Sequence, residues 1–199
     1  MNPEDLRLRA RVKEELRLRL KAIRRAHPAD VRATRSADAC ERLLALPEWD
    51  AARHVAGYVP IHAELDPGPA LDAARAAGKT VVLPRVDLEQ QRVVLHAWEG
   101  EALEPGAFGI PEPPADAPTV PEVDLILVPA LGVDETGHRI GWGKGFYDKL
   151  LSAEAKSAFR AATVFDFQLL TECPHTPHDV PVNVVVTDRR TIRPNGNGG

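Results

Sequence analysis

Residues 123–129 read VDLILVP, and no other stretch limits the possible fold as strongly. A strand with one wet face alternates apolar and polar side chains. This run is apolar on both parities, so it asks for a central strand covered on both sides. Its neighbours support that placement. RHVAGYVP (53–60), KTVVLPRV (79–86, interrupted by Pro84), RVVLHAW (92–98), AATVF (161–165) and VNVVVT (182–187) read as further strands. ALDAARAAG (70–78) reads as a helix closed by Gly78, and GFYDKLL (145–151) opens another. Strands alternating with helices predict an α/β fold with a largely parallel sheet. The proline-rich stretch from Glu104 to Pro121 reads as an irregular surface connection.

The first third of the chain has the period of a helix. Leu8, Val12, Leu16, Leu20 and Ile23 recur at helical spacing on one face. Asn2-Pro3 supplies a cap followed by proline at the first helical position. His27-Pro28 breaks this helix, and a second is expected from about Pro28 to Leu46, ended by Pro47. The length of 199 residues suits one domain, taken here as 1–194, with the NGNGG tail (195–199) expected to be disordered.

Composition narrows the function classes. Hydrophobic residues make up 44% and charged residues 27%, and the net charge is −4, which points to neither nucleic acid nor a membrane as partner. The first 35 residues hold eleven Lys/Arg against five Asp/Glu, but no aromatic residue is interleaved for base stacking, so these charges read as a solvated helix face. There is no secretory h-region and no stretch of about 20 apolar residues, so the expected location is cytoplasmic. Cys40 and Cys173 match no metal spacing and are expected to be free thiols. The loop CPHTPHD (173–179) fits no zinc pattern either.

The stretch VPALGVDETGHRIGWGKGFYDKLL (128–151) carries the chemistry. It leaves the best strand and ends in a helix. Gly141, Gly143 and Gly145 alternate, which lets backbone approach a ligand and turn N–H groups toward it. A helix start follows, and Arg139 and Lys144 add two cations, so the loop suits an anion such as phosphate. The spacing is GxGxG, not the GxGxxG of dinucleotide sites, and no Ser or Thr follows Lys144 as in a Walker A loop. By spacing alone, a plain strand–helix connection remains open. Asp148 suits a magnesium ligand beside phosphates, or equally an aspartate favoured by a helix start. Lys13 and Arg17, four residues apart, share a helix face and are able to reach one phosphate cluster.

Residues 124–151 taken together resemble the signature of the 5-formyltetrahydrofolate cyclo-ligase family: a strand ending Val-Pro-Gly, then Asp, Gly and Arg-Leu-Gly, then a glycine-rich run ending Tyr-Asp. Ala130 replaces the usual glycine, Ile140 the usual leucine, and Phe146 a frequent tyrosine. KEELR (13–17), YVPIHAELD (58–66), VVLPRV (81–86), GIPEP (109–113) and HD (178–179) resemble further family elements and fall in the family's order, so the resemblance covers nearly the whole chain.

The resemblance implies a three-layer α/β sandwich and conversion of 5-formyltetrahydrofolate, or its polyglutamates, to 5,10-methenyltetrahydrofolate with ATP and Mg2+. It implies a nucleotide site at Lys13, Arg17 and the loop Arg139, Ile140, Gly141, Trp142, Gly143, Lys144, Gly145, Phe146 and Tyr147. Arg139 and Lys144 take the catalytic charge-neutralising roles. Magnesium ligands fall on Asp148 and Asp179, and folate contacts on Val59, Glu64 and the family-variable position Trp142. Trp142 suits stacking on a flat ring or plain packing. The expected form is a monomer. Two other readings stay open: an ATP-dependent kinase or ligase acting on another small substrate, and an inactive relative that binds nucleotide or nucleic acid.

Overall fold

The computed structural model describes residues 2–153 and 155–194; the tail expected to be disordered lies outside the described residues. Helix α1 (Pro3–Ala26) starts where Asn2-Pro3 predicts, with the Asn2 side chain accepting from the Asp5 N–H at 2.8 Å. Leu20 is the buried member of the predicted stripe, Val12, Leu16 and Ile23 are half-buried, and Leu8 is exposed. Helix α2 (Ala29–Leu44) stops two residues earlier than expected. Pro47 does not merely end it but begins α3 (Pro47–Ala51), at a first-turn position where no N–H is needed.

The chain continues through β1 (His54–Ala56), α4 (Gly68–Ala76), β2 (Thr80–Asp87), β3 (Arg92–Ala97), β4 (Glu104–Pro105), β5 (Pro111–Glu112), β6 (Leu125–Pro129), β7 (Gly132–Asp134), β8 (Arg139–Ile140), α5 (Phe146–Ser152), β9 (Phe159–Thr163), β10 (Leu169–Leu170), β11 (Val184–Val186) and β12 (Thr191–Ile192). The main sheet has seven strands in the order β12-β11-β9-β6-β1-β2-β3. The inner pairs are parallel, and β2–β3 and β11–β12 at the edges are antiparallel. All five residues of β6 are buried, as its unbroken apolar run requires.

Strand parity sorts the core into two sides. Val55, Val81, Leu125, Leu127 and Val184 pack with Leu43, Trp49, Leu71 and Ala74 of α2, α3 and α4. Ala56, Val82, Ile126, Val128 and Val185 pack on the other side with Leu150 and Leu151 of α5. Helices therefore cover both faces, which gives the three layers implied by the resemblance.

Several boundaries differ from expectation. The strand predicted at 53–60 is ordered as strand only over His54–Ala56, and its remainder forms a loop over the sheet end. Pro84 does not interrupt β2. Val81 accepts from Trp98 on the β3 side and Val82 from Gly57 on the β1 side. Pro84, two residues beyond Val82, therefore turns its missing donor toward β1, which has already ended. The irregular stretch 104–121 contains the small β4–β5 hairpin. Gly78 closes α4 as predicted, at φ 76°.

Candidate active site

The strand order places the site. From β1 the chain moves outward to β2 on one side, and from β6 outward to β9 and β11 on the other. The β1–β6 boundary is thus a topological switch point, where loops leaving the strand ends part and open a crevice. A cavity of about 620 Å³ is lined there by Tyr58 and Val59 after β1, Pro84 and Val86 of β2, and Pro129 at the end of β6. The sequence after Pro129 is not one long loop, as the strand–helix reading implied. It first forms the β7–β8 hairpin, which β10 extends to a three-stranded sheet.

That hairpin holds the glycine loop. Oδ1 of Asp134 accepts from the N–H groups of Thr136 and His138 and from the Thr136 hydroxyl, and Oδ2 accepts from the Cys173 N–H at 2.7 Å. Gly137 turns the hairpin at φ 84°, where a Cβ would stand 2.7 Å from the Val182 carbonyl. Gln168, fully buried, donates to the carbonyls of Ala130 and Leu131 and fixes the chain as it leaves β6.

The loop 141–145 then runs along the cavity. Among the described residues, its N–H groups find no backbone acceptor, which leaves them available to a ligand. Gly143 (φ 92°) and Gly145 (φ 72°) take left-handed conformations that L side chains resist. At Gly143 an added Cβ would also stand 3.1 Å from the Arg17 guanidinium.

Helix α1 lays a row of cations along this loop. Arg9, Lys13, Arg17, Lys21 and Arg24 recur at intervals of four or three residues and so share a face. Arg9 donates to the His175 carbonyl at 3.1 Å, and Arg17 Nε to the Gly141 carbonyl at 2.9 Å. Lys13 Nζ lies 2.8 and 2.7 Å from the two carboxylate oxygens of Asp179. Lys21 Nζ stands 4.7 Å from the centre of the Trp142 ring.

The predicted carboxylates differ in their surroundings. Burial works to raise the Asp179 carboxyl, but bonds from Lys13 and from the Thr176 N–H and hydroxyl together hold it below the ordinary aspartate range. Asp148 meets Arg139 Nη2 through Oδ1 at 2.6 Å, and Arg139 also donates to the Val180 carbonyl. Glu64 is 8% exposed, with Trp142 Nε1 2.8 Å from Oε1 and the Ile61 N–H 3.0 Å from Oε2. Burial raises its carboxyl, against the pull of Ile61, Arg24 and Trp142.

The predicted residues Lys13, Arg17, Val59, Glu64, Arg139, Gly141, Trp142, Gly143, Lys144, Gly145, Phe146, Tyr147, Asp148 and Asp179 all line this cavity. Ile140 does not: its side chain is fully buried against Leu20, Leu131 and Cys173. The Trp142 N–H is bonded to Glu64, and Lys21 lies over its ring.

A model of the 5-formyltetrahydrofolate cyclo-ligase family matches residues 9–188. The chain belongs to that family. A 5-formyltetrahydrofolate cyclo-ligase of Mycolicibacterium smegmatis is 40% identical over 147 residues, covering 70% of this chain and 76% of the relative. One from Escherichia coli K12 is 28% identical over 170 residues, covering 82% and 93%. The NMR structure of 5,10-methenyltetrahydrofolate synthetase from Aquifex aeolicus superposes with a TM-score of 0.82 at 31% identity, covering 94% of this chain and 95% of that one. Family membership makes this chain an enzyme of the cyclo-ligase class, with the mixed α/β fold of its structural neighbour.

For this cyclo-ligase the sequence alone missed several wall residues. Lys21 lines the cavity and continues the spacing of Lys13 and Arg17, a signal that was present; Arg24, at the next turn, is buried. Phe108, at the tip of the β4–β5 hairpin with φ 58°, faces Phe146 with ring centres 5.8 Å apart and lies 5.5 Å from Lys144 Nζ. His62 and the buried Glu112 also line the cavity. Their approach depends on long-range packing that local pattern does not encode.

Proposed function

We propose that the protein converts 5-formyltetrahydrofolate to 5,10-methenyltetrahydrofolate at the expense of ATP, in the cavity at the β1–β6 switch point. The observation that carries this reading is the pairing of two unlike walls in one cavity. The glycine loop with Lys13, Arg17, Arg139 and Lys144 suits polyphosphate, while Val59, Pro84, Val86 and Phe108 with the carboxylate of Glu64 suit a flat heterocycle with N–H donors. A kinase acting on an unrelated substrate has less use for a buried carboxylate among apolar groups.

In the proposed reaction the formyl oxygen on N5 attacks the γ-phosphoryl group and ADP leaves. N10 then attacks the activated formyl carbon and loses its proton. The former formyl oxygen departs with phosphate, leaving the methenyl bridge between N5 and N10. The protein's task is alignment and neutralisation of charge on the transferring group. Lys144 and the loop N–H groups meet phosphate oxygens. Arg139 holds Asp148 in place, and Arg17 holds the loop through the Gly141 carbonyl. Lys13, neutralised in part by Asp179, lies at the nucleotide wall.

The donor set fits magnesium bound chiefly by phosphates and water. Asp148 is the protein ligand with an oxygen to spare, because only its Oδ1 is engaged among the described residues. Asp179 uses both oxygens on Lys13 and Thr176. When bound, the ion would neutralise phosphate charge and orient the γ-phosphoryl group.

Mixing the protein with 5-formyltetrahydrofolate, magnesium and ATP tests the reading. The near-ultraviolet band of the methenyl product should grow only with ATP present. A folded protein that produces no ATP-dependent band overturns the proposal.

A further inference from the structure

The proposed reaction leaves one buried arginine without a task. Arg24, on the last turn of α1, is 1% exposed. Its Nε donates to the His62 carbonyl at 3.1 Å, and its Nη1 lies 3.7 Å from Oε1 of Glu64. Among the described residues its Nη2 has no acceptor. A guanidinium is unfavourable in such a place unless an anion answers it, and Glu64 is the anion it faces.

Trp142 meets the same oxygen. Its Nε1 donates to Oε1 of Glu64 at 2.8 Å, and the Arg24 guanidinium carbon stands 5.2 Å from its ring centre. The intervening turn is shaped to close this arrangement. His62 and Ala63 take φ of 46° and 64°, which places the His62 carbonyl on Arg24 and the Ile61 N–H on Oε2 of Glu64. Strained backbone of this kind persists where surrounding contacts over-determine it, and it concentrates at ligand sites. Donors from α1, the glycine loop and the β1–α4 loop thus converge on one carboxylate.

We infer that Arg24 and Trp142 are a positioning pair for Glu64, fixing the direction and the negative charge of the carboxylate that faces the folate ring. The inference rests on the folate reading above for its consequence in turnover, but not for the state of Glu64 itself. Burial alone favours a neutral carboxyl, and Arg24, Ile61 and Trp142 oppose it. The other groups facing Glu64 do not replace them. Tyr58 on its own loop and Tyr147 on α5 are phenols kept protonated by burial. Lys21 of α1 lies over the indole, and His62 tilts against the indole with ring centres 5.3 Å apart. A neutral carboxyl would turn one acceptor into a donor and lose half of its match to an amino and ring N–H edge.

The test reads Glu64 directly and then reads turnover. Infrared difference spectra across pH follow the C=O stretch of the neutral Glu64 carboxyl in wild type, Arg24→Met, Arg24→Lys, Trp142→Phe and the Arg24→Met/Glu64→Gln control. In Arg24→Met the band should persist about one pH unit higher, vanish in the control, and return toward wild type in Arg24→Lys. In the assay of the methenyl band Arg24→Met should raise the folate KM about tenfold, leave the ATP KM unchanged, and move the acid limb of kcat/KM up by the same interval. Trp142→Phe should raise the folate KM with a smaller shift of the band. An unmoved band in both Arg24→Met and Trp142→Phe overturns the inference. If Arg24→Met fails to fold, an unmoved band and folate KM in Trp142→Phe overturn it. A shifted band in Arg24→Met, with a wild type that makes no methenyl product, leaves the positioning pair standing and removes the folate reading.

Discussion

Arg139 Nη2 lies 2.6 Å from Oδ1 of Asp148, a contact that aims one carboxylate oxygen and leaves the other unengaged among the described residues. At Asp179 both oxygens are taken. The two aspartates that resemblance groups as magnesium ligands therefore predict different losses. Chelation with EDTA should abolish ATP-dependent turnover, and added magnesium should restore it. Asp148→Asn should raise the magnesium concentration for half-maximal rate about tenfold or more. Asp179→Asn should act mainly on ATP KM and stability. Equal magnesium dependence in the two variants would remove this distinction.

The Lys13–Asp179 pair also predicts a pH dependence. Asp179 titrates below an ordinary aspartate in the folded protein. Its contribution to stability is present above the unfolded pKa and is lost as pH falls through the lower, folded value. Thermal melts of wild type should therefore decline through the acid range below about pH 4 more steeply than those of Asp179→Asn. Parallel curves for the two proteins would count against the pair as a source of acid sensitivity.

Lys144 is exposed at the cavity rim and makes no ion pair among the described residues. Lys144→Ala should lower kcat about 100-fold while changing stability by less than about 0.5 kcal/mol. Steady-state kinetics with a denaturation curve checks both halves. A variant with unchanged kcat and unchanged ATP KM takes Lys144 out of the chemistry.

Gly143 is held by backbone conformation as well as space, with φ 92° and Arg17 next to its missing Cβ. Gly143→Ala should cost about 1–3 kcal/mol locally and weaken ATP binding, with the Arg17–Gly141 contact disturbed. Isothermal titration with a non-hydrolysable ATP analogue measures the loss. Unaltered affinity would show that the loop relaxes freely.

Part of this arrangement was legible in the residues. The unbroken apolar run of β6 gave the central strand, and the GxGxG spacing marked the anion loop. Spacing of four puts Lys13 and Arg17 on one face, and the same face continues through Lys21 and Arg24 at spacings of four and three. Pro84 misled because the effect of a missing N–H depends on whether a neighbouring strand still lies opposite it. Short strands such as β7 and β8 carry too little period to stand out, and their pairing is fixed by Asp134 reaching Cys173, 39 residues away. Trp142 could be placed at the cavity but not oriented, since its partner Glu64 is 78 residues distant.

The clasp between Lys13 and Asp179 spans 166 residues. Lys13 thus meets its anion in a loop that follows five of the seven strands of the main sheet. Arg17 and Arg24 on the same face close shorter loops, to the Gly141 and His62 carbonyls, so the Lys13 contact costs more chain entropy to form than either. Detaching the 173–179 loop would leave those shorter closures in place and release only the first half of α1 from the cavity.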